Sequence, residues 1–295
     1  MATVLVSRRF KDPIDFPKRQ IRYGKISPRT VGEVDAIVSL LTDRIDEKLF
    51  AAAPRLKIVA NVAVGVDNID LDAARARKIQ VTNTPDVLTD STADLTWALI
   101  LGVARRVVEA DTFLRAGRYK KFDFDLLRGM ELSGKTLGII GPGRIGKAVA
   151  KRARGFGMKV LFAKRDRKER DRLLKESDIV SLHCPLSSET LHLIGAGELK
   201  KMKRSALLIN TTRGPVVDEA ALAKALRAGE IAGAGLDVFE KEPLVHRGLL
   251  GRKDVVLLPH IGSATHETRG KMVEIAFRNV REALAGRVPP NSLTI

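Results

Sequence analysis

Apolar and polar positions along this chain change period repeatedly. Short apolar runs that read as strands occur at Val4–Val6, Ala36–Leu40, Lys57–Asn61 and Gln80–Thr82. They return at Gly138–Ile140, Val160–Ala163, Ile179–His183, Ala206–Asn210, Gly235–Asp237 and Val255–Leu258. Stretches with helical spacing separate most of them, and this alternation predicts an α/β fold of parallel sheets with crossover helices. The longest helical candidate, "STADLTWALILGVARRVVEADTFLRAG" from about Ser91 to Gly117, has a Ser/Thr start, no internal proline and a closing glycine. It reads as one helix long enough to bridge two lobes. Two connections look clipped: Phe10 to Asp35 has little helical pattern, and Lys164 to Ser177 holds only a short helix. A C-terminal helix, "ETRGKMVEIAFRNVREALAG", follows the last strand, and the tail "RVPPNSLTI" is expected to cross back onto the first lobe.

With 295 residues the chain is long for one core, so two domains are expected. The pattern divides it into residues 1–93 with 268–295, and residues 94–267. No apolar run approaches the roughly 20 residues of a membrane span, and "MATVLVSRRFKDP" has too short an apolar region for a secretory signal. A single Cys184 excludes internal disulfides and cysteine-based zinc sites, so a soluble protein of a reducing, cytoplasmic compartment is expected. Placed after "DIVSLH" and before Pro185, that cysteine reads as a small core residue at a strand end. The formal net charge is +17, but basic residues are mixed with acids, as in "KRDRKERDR", and aromatics make up only 4%. Few stacking platforms for bases follow from this, so the charge reads as a cationic surface that attracts small anions, with no nucleic acid or membrane partner.

The run "LGIIGPGRIG" ends a strand in three spaced glycines, Gly141, Gly143 and Gly146, and opens a helix. Such glycines allow a tight turn, close approach of backbone to pyrophosphate and close helix-to-strand packing, while the helix N-terminus supplies amide donors for phosphate. From here to Leu258 the pattern counts six strands, the number a full dinucleotide-binding sheet uses. In a NAD site an acid usually stands at the end of the second strand, about 20 residues on, to hold the ribose hydroxyls. Here that position holds Lys164 and Arg165. A cation is poor chemistry for ribose hydroxyls but suits the 2′-phosphate of NADP, so NADP(H) is the expected cofactor, with NAD(H) also possible.

Three polar clusters follow strand-like runs, where open parallel sheets place ligands: "INTTRGPVVDE", "AGLDVFEKEP" and "LLPHIGSATHE". Arg213, Glu242 and His260 from these clusters form a complete set for carbonyl reduction. Arg213 would grip a substrate carboxylate and polarise the carbonyl. His260 would protonate the developing alkoxide, and Glu242 would favour the charged ring and orient it. Each has a structural alternative: a strand cap for His260, a loop acid for Glu242, a pair with Asp218 for Arg213. His183, His192, His246 and His266 lack such company, and no group has metal-ligand spacing, so no metal is expected.

The chain resembles the D-isomer-specific 2-hydroxyacid dehydrogenases, and within them the glyoxylate and hydroxypyruvate reductases. The resemblance runs through "NVAVGVDNID", "VTNTPDVLTDSTADLTWALIL", "LSGKTLGIIGPGRIG", "HCPLSSETLHLI", "LLINTTRGPVVDEAAL", "GAGLDVFEKEPL" and "LLPHIGSAT", which together are highly specific. It implies a Rossmann dinucleotide-binding domain, a smaller flavodoxin-like substrate domain, an active site in the cleft and a homodimer formed through the cofactor domain. It makes Arg213, Glu242 and His260 the catalytic set and gives the backbone amides of Val64 and Gly65 to the substrate carboxylate. For the cofactor it implies Pro142, Gly143, Arg144 and Ile145, then Lys164, Arg165 and Asp166, the turn at Cys184 and Pro185, Thr211 and Thr212, Asp237, and His260 to Gly262. Pro142 stands where the family more often has a leucine-like residue, and "GRYKKFDFD" stands where it often has a tryptophan.

NADPH-dependent reduction of glyoxylate and hydroxypyruvate is therefore the expected activity. An NAD-dependent phosphoglycerate dehydrogenase is a neighbouring alternative, opposed by the two cations. A formate dehydrogenase is opposed by Glu242, where those relatives use glutamine. From another class, relatives of this fold serve as dinucleotide-sensing corepressors.

Overall fold

A computed structural model describes residues 2–11 and 14–294. Its contacts divide the chain into two units, the first running to Leu88 and resuming at Ala264, the second comprising Thr89–Ser263. Each contains one parallel sheet.

In the first unit the strands are β1 (Val4–Val6), β2 (Ile21–Tyr23), β3 (Ala36–Ser39), β4 (Ile58–Asn61) and β5 (Gln80–Thr82), with short helices α1 (Glu47–Ala51) and α2 (Leu71–Ala76). β1, β3 and β4 are buried along their whole length, as expected of strands covered on both faces. The strand order is β2-β1-β3-β4-β5, the flavodoxin-like winding. That order depends on β2, which the hydrophobic pattern does not reveal: Ile21, Arg22 and Tyr23 form a half-exposed edge strand with little to bury. Between β1 and β2 the described residues hold only a turn of 3₁₀ helix, Lys18–Gln20, in place of a crossover helix.

The second unit begins with α3 (Thr89–Ala104) and α4 (Val107–Arg115), then alternates β6 (Thr136–Ile140), α5 (Arg144–Ala153), β7 (Lys159–Ala163), α6 (Arg167–Glu176), β8 (Ile179–Leu182), α7 (Ala196–Lys201), β9 (Leu207–Asn210), α8 (Glu219–Ala228), β10 (Gly233–Leu236) and β11 (Val255–Leu257). The single helix expected over Ser91–Gly117 is therefore two. The Ala104 carbonyl accepts the Met130 N–H at 2.7 Å, and Arg106 takes a left-handed conformation with φ of 53°. A Cβ on Gly129 would lie 2.3 Å from the Ala104 oxygen, so only glycine lets the returning segment approach and end the helix there.

The six strands lie in the order β11-β10-β9-β8-β6-β7. The strand count agrees with the hydrophobic pattern, but a full dinucleotide sheet usually carries a further strand outside its second. The clipped crossover from Lys164 to Ser177 provides only α6, which leaves β7 at the edge with Phe162 47% exposed. The chain moves outward from β6 to β7 and then to β8 on the other side, so the topological switch point lies between the C-terminal ends of β6 and β8.

The last helix, α9 (His266–Leu284), belongs to the first unit and is capped by Thr265, whose hydroxyl accepts the Thr268 N–H at 3.1 Å. Its Met272, Val273, Ala276, Phe277, Val280 and Ala283 recur at helical spacing and are buried with Val4, Val6, Ala36, Val38, Ile58 and Ala60. The tail returns along β5, where the Leu293 N–H donates to the Val81 carbonyl at 2.8 Å.

Candidate active site

At the switch point the first glycine is forced by its neighbours. Gly141 has a φ of 90°, and a Cβ there would meet the Cys184 nitrogen at 2.6 Å and the His183 carbonyl carbon at 2.8 Å. Gly146 packs α5 onto the turn, since a Cβ on it would lie 2.6 Å from the Gly141 oxygen. Gly143, the N-cap of α5, differs: a Cβ on it would meet nothing within 4 Å, and no side chain caps the helix. Two glycines are thus required by packing and the third borders open space at a helix N-terminus, an arrangement that fits a pyrophosphate. Pro142, Arg144 and Ile145 complete this turn and the first turn of α5.

At the end of β7, Lys164, Arg165 and Asp166 are exposed. The Arg165 side chain is 93% exposed, with Glu189 at 3.8 Å. Asp166 is the N-cap of α6, its carboxylate accepting the Glu169 N–H at 2.8 Å. Its position beside the two cations is therefore explained by helix capping.

Cys184 follows β8 as a buried core residue, and burial pushes its thiol up to about 11, so it is held as an inert thiol. The neighbouring His183 shares a hydrogen bond with Ser181 at 2.8 Å, and burial pushes its ring down to about 3, leaving it neutral. Thr212 donates its hydroxyl to the Cys184 carbonyl, which ties the turn after β9 to the Cys184–Pro185 turn. Thr211 lies 3.0 Å from Thr96 of α3, hydroxyl to hydroxyl.

Asn210, buried at the end of β9, holds the turn that presents Arg213. Its amide donates to the Arg213 carbonyl at 2.9 Å and its oxygen accepts the Thr212 N–H at 3.1 Å. Gly214 then brings this turn hard against the loop after β10: a Cβ on it would overlap the Phe239 carbonyl carbon at 1.8 Å. Asp218, the alternative partner of Arg213, caps α8 by accepting the Ala221 N–H at 2.9 Å.

Asp237 follows β10, is 1% exposed and accepts the N–H groups of Ile261 and Gly262, each at 2.8 Å. Burial raises its carboxyl above the usual range although both amides pull it down. The His260 N–H donates to the Asp237 carbonyl at 2.8 Å, and His260 itself adopts φ of 53°. The loop after β11 is thus held in one conformation by one buried acid. Its histidine meets Glu242, with Nδ1 2.8 Å from Oε2. The other Glu242 oxygen accepts the Phe239 N–H at 3.1 Å. Burial would raise the Glu242 carboxyl, but the bond and charge of His260, the Phe239 N–H and the charge of Arg213 prevail and hold it below the usual range. The structure brings Arg213, Glu242 and His260 together at adjacent strand ends. With Nδ1 occupied by the carboxylate, Nε2 is the ring nitrogen available for proton transfer.

Val64 and Gly65 lie in the first unit, in the loop after β4. The Ala63 carbonyl accepts the Thr84 N–H at 2.9 Å, and the Val64 carbonyl accepts the Asn83 amide at 2.8 Å. In trans peptides the N–H opposes the carbonyl, so the amides of Val64 and Gly65 are both turned away from those contacts. Asn61 holds the Gly65 carbonyl at 3.0 Å.

Of the residues that fix these loops, Asn210 and Gly214 lie within the cluster "INTTRGPVVDE", whereas Asn61, Asn83 and Thr96 lie outside the three polar clusters. Asn210 carries a readable signal, a polar residue closing a fully apolar strand. The others act on segments distant in sequence or on backbone alone and leave no local mark. His192, expected to lack company, has Nε2 3.4 Å from Glu240. Among the described residues no His, Cys, Asp and Glu group could hold a metal ion, and no helix is long and apolar enough to cross a membrane.

A model of the D-isomer specific 2-hydroxyacid dehydrogenase NAD-binding domain matches residues 97–262. A protein named glyoxylate reductase from Thermococcus litoralis is 53% identical over 96% of this chain and 88% of its own length. A protein of Thermus thermophilus superposes with a TM-score of 0.92 and 44% identity over 99% of both chains. The NADPH-dependent glyoxylate/hydroxypyruvate reductase of Sinorhizobium meliloti, solved with NADP and malonate, superposes with a TM-score of 0.87 and 33% identity, over 99% of this chain and 96% of that one.

Proposed function

This chain belongs to the D-isomer specific 2-hydroxyacid dehydrogenases, a family of oxidoreductases, and we propose that within it the protein reduces small 2-oxo acids with NADPH, glyoxylate first and hydroxypyruvate second. The observation that carries the reading is the 2.8 Å contact of His260 Nδ1 with Glu242, in a loop held by Asp237 and beside Arg213. A reduced nicotinamide, when bound, supplies the hydride for C2 of the 2-oxo acid. His260 holds, on Nε2, the proton that the C2 oxygen takes up. Glu242 keeps the ring in that tautomer and compensates the charge of its protonated form. Arg213 binds the carboxylate and carbonyl oxygen through its planar fork. The amides of Val64 and Gly65 would hold the substrate carboxylate, a role supported by the Ala63 and Val64 carbonyls being tied back on the opposite side of those peptides.

For the cofactor, Gly143, Arg144, Ile145 and Gly146 would hold the pyrophosphate, and Lys164 and Arg165 the 2′-phosphate. The open space at Gly143 and the lack of an acid after β7 other than the capping Asp166 support this. A homodimer is part of the same reading, supported by Val107, Val108 and Leu114 on α4 and by Phe122 and Phe124, all of which are exposed. Its setting is the cytoplasm, in keeping with one buried thiol.

The test is oxidation of NADPH followed by absorbance, with glyoxylate, hydroxypyruvate, pyruvate and phosphohydroxypyruvate compared, and NADH in parallel. Fast turnover of glyoxylate with NADPH is the expected result. Binding of dinucleotide without turnover of any 2-oxo acid would instead favour a sensing protein.

A further inference from the structure

The loop that bears Glu242 is gripped on both flanks by one carboxylate outside the catalytic group. Glu219, the first residue of α8, is 6% exposed. Its Oε1 accepts the Glu240 N–H at 2.6 Å and its Oε2 accepts the His246 N–H at 3.1 Å. Glu240 returns the bond, its own Oε1 accepting the Glu219 N–H at 2.7 Å. His192 Nε2 lies 3.4 Å from that oxygen.

Packing alone does not call for this arrangement. Burying a carboxylate is unfavourable unless it is well hydrogen-bonded, and a second carboxylate nearby adds like-charge repulsion. The N-terminal end of α8 offsets part of that. Val216, Val217 and Leu222, its neighbours in the chain, are core residues, so an apolar residue at position 219 would be in keeping with that segment. What the pair of acids supplies instead is a set of charge-assisted bonds to particular amides, and those amides lie to either side of Glu242. Glu242 in turn must stay in register with His260, at 2.8 Å.

We propose that Glu219 is a positioning residue for the reduction: it acts through Glu242, holding both ends of its loop so that the carboxylate stays on His260. This rests on the reading of Glu242 and His260 as the acid pair. Glu219→Ala removes both flank bonds and lowers kcat about 10- to 100-fold, because small misplacements of catalytic groups are costly, while the KM for glyoxylate, set by Arg213, changes less than about threefold. Glu219→Gln keeps length and one acceptor but turns an NH₂ toward a backbone N–H, so its kcat falls between those of the unmodified protein and the alanine variant.

The decisive measurement is a double-mutant cycle with Glu242→Gln, read in kcat. If Glu219 acts through Glu242, adding Glu219→Ala to Glu242→Gln lowers kcat by less than about a further threefold. Should Glu219→Ala not fold, judged by circular dichroism and melting, Glu219→Gln carries the same cycle. Full multiplication of the two effects, with both variants folded, overturns the positioning role and leaves the acid-pair reading intact. A folded Glu219→Ala variant with unchanged kcat does the same. Unchanged kcat in Glu242→Gln alone overturns the acid-pair reading and this proposal with it.

Discussion

At the ends of β9, β10 and β11 the chain devotes buried side chains and backbone to fixing three candidate groups, whereas at the end of β7 it leaves two cations almost bare. Arg213 is presented by Asn210, Glu242 by Phe239 and His260 by Asp237. Arg165 has Glu189 at 3.8 Å and a side chain that is 93% exposed. The contrast matches the two tasks proposed for them. Groups that stabilise a transition state gain from being held before the reaction begins. A cation that meets a phosphate at the surface needs charge more than fixed geometry, and its contribution is screened by salt.

The largest expected effect is on the fixed side of this contrast. His260→Asn should lower kcat about 10²–10⁴-fold, the usual worth of general acid catalysis, with NADPH affinity nearly intact by fluorescence titration. A fall of less than about threefold would remove His260 from the role. Arg213→Lys keeps the charge and loses the fork. At roughly 1.5–3 kcal/mol for a charge-assisted bond in a desolvated site, kcat/KM for glyoxylate should drop at least about tenfold. An unchanged value in a folded variant would mean that rigidity at Arg213 serves something other than substrate.

On the exposed side, NADPH should be preferred to NADH by about 10- to 150-fold in kcat/KM, and Lys164→Asp with Arg165→Ile should reverse the order. Raising the salt concentration should erode the preference without touching the effect of His260→Asn, which separates the two regions in one experiment. Comparable values for the two coenzymes at low salt would refute the assignment of the cations.

The smallest effect concerns stability. Because the Glu242 carboxyl lies below its usual range in the folded protein, its contribution is fully present above the unfolded value near pH 4.3 and is lost as pH falls through the folded value. Glu242→Gln should therefore melt about 1–3 °C below the unmodified protein near pH 6, the two converging below about pH 4. A gap that stayed constant into acid would show that Glu242 stabilises by packing alone.

How much of this could be read before the structure differs by region. The inner strands of the second unit, such as β8 and β9, were legible because fully buried parallel strands are continuous apolar runs, and the glycine turn because its backbone needs no side chain at Gly141. Edge strand β2 was not, since a half-exposed strand carries no such run. The break between α3 and α4 was not, since no residue within Ser91–Gly117 forbids helix. The cause is Met130 and Gly129, which occupy the Ala104 carbonyl from farther along the chain.

The sequence by itself determined the α/β class and the glycine turn and singled out Arg213, Glu242 and His260 as candidates, because period and residue type act locally. Tertiary structure alone decided the strand order of both sheets, the break in the long helix, and the hold of Asn210, Asp237 and Glu219 on the loops of the site. These depend on which distant backbone amide a buried polar group finds. Burial makes finding one obligatory, and only the fold sets which one is within reach.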